Sequence, residues 1–254
     1  MNMPSGVALP AVDFDVAMEV ASHEALIRQT YKDSVGVLTW CVGMTNATGH
    51  KVERYIGKPA PLQHCMNLFA WALGNYAAGV YRAFKGYPIN KGQFAAALSF
   101  HWNTGSIEKA LWVSLWKQGK IEEAKAAFMN WNNPPEITDR RRKERDLFFN
   151  GKWSHNGKMT EYTKLTKKMT PVWSSAVKID VSKELRAAFA TPVSVPLDVP
   201  MQPEAPVEVP TVSPGAEPTK QPSNFKRPAI PGWLIAAVVI AAVLVTLAVF
   251  TPVF

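Results

Sequence analysis

The chain has 254 residues, a formal net charge of +8, 47% hydrophobic residues and two cysteines. Two cysteines, Cys41 and Cys65, exclude a disulfide framework, and no CxxC or Cys/His spacing suggests a metal site. The length admits one domain of ordinary size with appendages, or two small domains.

The charge is unevenly spread. Residues 1–191 carry 25 Lys+Arg against 16 Asp+Glu, whereas the remainder carries 3 against 4. The N-terminal part therefore suits an anionic partner such as nucleic acid, lipid or a cell-wall polymer, or is simply a soluble basic protein. At the start, "MNMPSGVALPAVDFDVAMEV" has no basic n-region, and Asp13 and Asp15 interrupt any apolar run. No signal peptide is expected there.

The elements follow in chain order. In "FDVAMEVASHEALIRQ", apolar Phe14, Met18, Ala21, Ala25 and Leu26 recur with a helical period. "YKDSVG" supplies the turn formers Asp33, Ser34 and Gly36, and "VGVLTWCVG" fits a short strand. "PLQHCMNLFAWALGNYAAGVYRAF" reads as one long helix. "NKGQFAAALSFHWNTGSIEKALWVSLWKQG" reads as two, divided near Asn103–Gly105. "KIEEAKAAFMNW" and "DRRRKERDLFFNG" give two more, with Gly119 and Gly151 placed as helix stops. The expected class is α+β, mostly α-helical, with a small N-terminal β-sheet.

Composition changes sharply at Pro192. Residues 192–232 contain eleven prolines, which remove backbone donors and fix φ, so an extended linker is expected. Fully extended, it would reach about 125 Å. "WLIAAVVIAAVLVTLAVF", Trp233 to Phe250, has neither charge nor proline and is long enough for one transmembrane helix. Lys226 and Arg227 precede it, and the positive-inside rule would set them, with the globular part, on the cytoplasmic side.

Glu24, Asp33 and Thr39 form the candidate constellation. On one continuous helix Glu24 and Asp33 would face opposite ways. A break near Tyr31–Gly36 would instead set Glu24 near a helix end, Asp33 in the turn and Thr39 on the returning strand. Two carboxyl groups around one cleft suit glycoside cleavage: one donates a proton, and the other holds a water on the opposite face of the sugar. A threonine hydroxyl could orient that water. The plain alternative is three unrelated surface residues.

The neighbouring residues favour the first reading. Glu24 and Asp33 enclose eight residues, and Asp33 and Thr39 enclose five. With Tyr31, Lys32, Gly36 and Gly43, this resembles the phage-type lysozymes of glycoside hydrolase family 24. Cys41, two residues after Thr39, looks closest to the lambdoid-phage endolysin branch. "QFAAALSFHWNTGS", "LWKQGKIEEAKAAFMNW" and "RRRKERDLFFNG" resemble later motifs of that family in the right order. The resemblance covers about residues 14–151.

It implies a lysozyme-like fold over 1–151 and hydrolysis of the β-1,4 bond between N-acetylmuramic acid and N-acetylglucosamine. Glu24 would be the general acid, with Asp33 and Thr39 holding the water. One of Arg140, Arg141 and Arg142 would pair with Glu24. Trp102 and Asn103 would meet the sugar, although Trp102 equally suits a core aromatic. No cofactor and no metal are implied. The expected partners are peptidoglycan, a host inner membrane through the C-terminal helix, and a holin; nucleic acid is not expected, having only the net charge behind it.

Two features depart from the family. Gly43-Met44 stands where the family often has Gly-His, and residues 152–191 run past its usual end. That basic extension, with Trp153, Tyr162 and Trp173, suits a wall or membrane contact or simple enlargement of the domain, the last being slightly preferred. A non-catalytic wall-binding or membrane-disrupting protein on the same scaffold is the rival reading.

Overall fold

The structure, a computed structural model, describes residues 10–34 and 36–190. The expected linker and membrane span lie outside these residues. Among the described residues, no helix is long and apolar enough to cross a membrane.

Helix α1 (Phe14–Ser22) begins at Asp13, whose side chain accepts from the Val16 N–H. It ends earlier than its apolar period suggests, because Ala25–Lys32 form strand β1. Ala25 and Leu26 fit either period. Pairing decides the outcome: β1 gains a strand on each side, and that outweighs a weak local preference. Glu24 therefore sits in the junction between α1 and β1, and the break that separates it from Asp33 is a whole strand.

Strand β1 pairs antiparallel with β2 (Leu38–Cys41), which pairs with β3 (Met44–Thr45). On its other edge β1 runs parallel to β4 (Lys158–Tyr162), and β4 pairs antiparallel with β5 (Ala176–Asp180). The sheet order is β3-β2-β1-β4-β5. Three strands come from the N-terminal region, as expected, and two from the extension.

The remaining helices are α2 (Leu62–Ala83), α3 (Lys91–Thr104), α4 (Leu111–Lys117), α5 (Ile121–Met129), α6 (Thr138–Asn150) and α7 (Ser182–Ala190). Helix α3 opens with a reciprocal cap between Asn90 and Gln93. Phe94 through Phe100 are all buried, so α3 has no solvated face along this stretch and is enclosed by α1, α2 and α6. Under β2, Trp40 stacks on Tyr55 with ring centroids 3.8 Å apart. The Tyr55 hydroxyl bridges His50 and His64. Cys41 and Cys65 are both buried free thiols in hydrogen-bond contact.

The extension is built into this core. Met159, Val181 and Leu185 are buried in it, and α7 packs on α1 and α2. Glu19 of α1, fully buried, fastens the segment that leads to β4. It accepts from the backbone N–H groups of Ser154 and His155 and from the Ser154 hydroxyl at 2.6 Å. Burial alone would push its carboxyl up, but His23 and the Ser154 donors outweigh that and hold it down to about 2.

This clamp has a pH signature. The folded value lies below the ordinary 4.5, so the stabilisation is full above that pH and disappears as pH falls toward 2. Glu19→Gln is expected to lower stability at pH 7 by about 3 kcal/mol and to flatten the acid limb of the stability curve. Urea melts at a series of pH values measure both effects.

Candidate active site

Glu24 is reached from two sides. Arg140, on the first turn of α6, donates from Nη1 to Glu24 Oε1 at 2.6 Å. The other oxygen points toward Gly43. A side-chain carbon at Gly43 would lie 3.5 Å from Glu24 Oε2 and 3.7 Å from Trp102 Nε1. Gly43 also has a φ of +80°, which disfavours any L side chain. A bare backbone thus faces the carboxyl and the indole N–H. Met44, in the position where the family often has histidine, is buried in the core.

Asp33 and Thr39 meet at one residue. The Val37 N–H donates to Asp33 Oδ1 at 2.8 Å, and the Thr39 hydroxyl donates to the Val37 carbonyl at 3.1 Å. The hairpin between β1 and β2 therefore gathers both side chains at its turn. Between the paired positions Ile27↔Cys41 and Tyr31↔Thr39, β1 spends four residues where β2 spends two. This irregularity bends β1. It matters because nine steps of straight strand would separate Glu24 from Asp33 by about 30 Å. Tyr31 lies in the field of both: burial first, and then the charges of Glu24 and Asp33, hold its phenol well above the ordinary range.

Behind Glu24 lies a buried ion chain. Arg140 gives Nε to Glu144 Oε1 at 2.8 Å and Nη2 to the Ser99 carbonyl at 3.0 Å. The Ser99 hydroxyl donates to Glu144 at 2.6 Å. The other Glu144 oxygen takes Arg141 Nη1, while Arg141 reaches the Trp131 carbonyl and Asn103 Oδ1. Burial would lower the Arg140 guanidinium, but Glu24 and Glu144 outweigh it and hold it above its ordinary value. For Arg141 burial prevails, aided by the like charge of Arg140, over the single carboxylate of Glu144.

Of the three arginines that sequence offered, Arg140 pairs with Glu24, Arg141 supports from behind, and Arg142 is exposed. Asn103 serves as an acceptor for Arg141. Trp102 packs as a core aromatic, edge-on against Phe69 and near Tyr76, while its Nε1 faces Gly43. Sequence reasoning missed Glu144 and Ser99. Their signal was the placement of a glutamate four residues after Arg140 and three after Arg141, a spacing that puts all three on neighbouring faces of a helix. Among the described residues, no group of His, Cys, Asp and Glu could hold a metal ion.

A carboxyl held by an arginine, together with a second carboxylate and a hydroxyl gathered at the neighbouring hairpin, supplies the groups that glycoside cleavage needs. Residues 21–144, just under half of the chain, match the family model for phage lysozyme. The match is to the family as a whole. Among solved structures, the chain is similar to an endolysin from Escherichia coli O157:H7 phage FAHEc1, at 20% identity over 59% of this chain and 98% of that one, with a TM-score of 0.49. It is also similar to the muramidase domain of SpmX from Asticaccaulis excentricus, at 20% identity over 56% and 99%, TM-score 0.44. A P22 lysozyme variant shares 22% identity over 56% and 99%, TM-score 0.41. No curated protein sequence matches.

Glu144→Gln, which leaves two buried guanidinium groups short of a charge, is expected to cost about 3–5 kcal/mol. Arg140→Lys is expected to cost less stability than Glu144→Gln while still loosening Glu24, because an ammonium cannot reproduce the planar fork. Thermal melts and peptidoglycan turbidity assays on the two variants separate these effects.

Proposed function

We propose that the protein is an endolysin that hydrolyses the β-1,4 bond between N-acetylmuramic acid and N-acetylglucosamine in peptidoglycan, with inversion at the anomeric carbon, and so lyses its host. One observation carries the reading: Glu24 is held through Oε1 by Arg140 with Oε2 turned to an open glycine, while Asp33 and Thr39 converge on Val37.

Glu24 donates its proton from Oε2 to the leaving glycosidic oxygen. Arg140 positions the carboxyl without being committed to it, since its Nε is given to Glu144. A water accepted by the Thr39 hydroxyl oxygen attacks the anomeric carbon from the opposite face, and Asp33 takes the proton it releases. Trp102 Nε1 faces Gly43, as Glu24 Oε2 does, and supplies a donor to the sugar.

The full chain in mild detergent is expected to clear a peptidoglycan suspension, and Glu24→Gln to slow clearing about a hundredfold or more. Equal rates would remove Glu24 from its role. No clearing by either would favour a wall-binding protein without activity.

The same proposal includes anchoring in the host inner membrane through residues 233–250, with the linker giving the domain its reach. Lys226 and Arg227 favour the inner face, so a holin must open the membrane before the enzyme meets periplasmic peptidoglycan. Protease added to intact spheroplasts is then expected to spare the globular domain until lysis. Digestion before lysis would set the domain on the outer face from the start.

A further inference from the structure

A cavity of about 340 Å³ lies against the Asp33 side of the sheet. Ile27, Tyr31 and Asp33 form one wall. Tyr162, Thr170, Pro171 and Trp173 form the other, and all four lie beyond the stretch that matches the lysozyme family. The volume is within the range of small-ligand clefts, roughly 300–1,000 Å³.

The second wall is held firmly. Strand β4 runs beside Ala25 and Leu26, and Arg28 pairs with Glu161 at 2.6 Å. At the far end the Lys32 N–H donates to the Met169 carbonyl at 2.7 Å, one residue before Asp33. Met169 has a φ of +61°, a left-handed conformation that a methionine keeps only where its surroundings fix it. Those surroundings are a closed turn: the Thr166 N–H donates to the Thr170 carbonyl, the two threonine hydroxyls bond each other, and Leu165 bridges Pro171.

Trp173 stands out within this wall. It is 38% exposed, although Tyr162 braces it edge-on at 5.1 Å. A braced, partly exposed indole in a cavity that Thr170 and Lys32 also line offers a flat apolar surface bordered by polar residues. That is the complement of a sugar ring, which has apolar C–H faces and hydroxyls at its edge.

We infer that residues 158–175 add a sugar-binding wall to the cleft, in which Trp173 stacks on a ring of the glycan strand next to the one being cleaved. The inference rests on the proposed activity, because the cavity's continuity with Asp33 selects the glycan as its occupant.

The test uses the full chain and two readouts. Trp173→Ala is expected to raise KM for long glycan strands about tenfold with kcat within about twofold, and Trp173→Phe to restore most of the loss. An unchanged KM in Trp173→Ala would overturn the inference. The second readout needs neither catalysis nor the alanine variant. The chain carrying Glu24→Gln is labelled with 5-fluorotryptophan, and the Trp173 fluorine signal is identified by its loss in Trp173→Phe. Adding a tetrasaccharide of alternating N-acetylglucosamine and N-acetylmuramic acid is expected to shift that signal. An unmoved signal at saturation would overturn the inference even if Trp173→Ala fails to fold. Failure of the unmodified chain to clear peptidoglycan would sink the proposed activity instead, and the fluorine signal would still decide the wall.

Discussion

The buried carboxylate of Glu144 holds the site together. Taken alone, a carboxylate with no exposure would be very costly. It is tolerated because Arg140, Arg141 and the Ser99 hydroxyl all converge on it. Glu24 joins the set through Arg140 Nη1. The chain joins α3, α6 and the α1–β1 junction, so Glu24 takes its position only when these elements are packed. Such an arrangement adds little stability over an apolar core of the same shape, but it fixes one geometry.

The other half of the site is local. Asp33 and Thr39 are fixed by a hairpin turn and by the peptide groups of Val37. The irregular pairing of β1 with β2 bends this hairpin. Gly43 then allows Glu24 and Trp102 to approach the backbone of the turn between β2 and β3. The active cleft thus joins a rigid helical side, set by buried charge, to a strand side set by turn geometry.

These two halves differed in how well the sequence showed them. The spacing of Glu24, Asp33 and Thr39 was legible because hairpin turns write their chemistry into a few adjacent residues. The long helices α2 and α3 were legible for a similar reason. Helix α6 was legible only in part: one of its arginines was expected at Glu24, but nothing in "RRRKER" signals that Arg141 and Glu144 are fully buried. Burial of paired charges leaves no hydrophobic period to detect. Strand β1 was hidden because Ala25 and Leu26 continue the helical pattern of α1, and the partners that make it a strand lie elsewhere in the chain. Strands β4 and β5 were hidden because each has only five residues and β5 is almost wholly exposed, so neither shows a clear alternation of buried and solvated positions.

The parallel pairing of β1 with β4 also sets an order of events. Arg28 and Glu161, which clasp these strands, are 133 residues apart in sequence. Contacts so distant form late, because a long loop must close before they give any return. During synthesis β1 must therefore keep a bare edge until β4 leaves the ribosome, and a bare edge invites pairing with other chains. There is thus a stage of synthesis at which Glu24, Arg140 and the hairpin have left the ribosome while β1 still lacks β4. On this topology the sheet is completed by its last strands, and the wall they carry is the final part of the domain to be assembled.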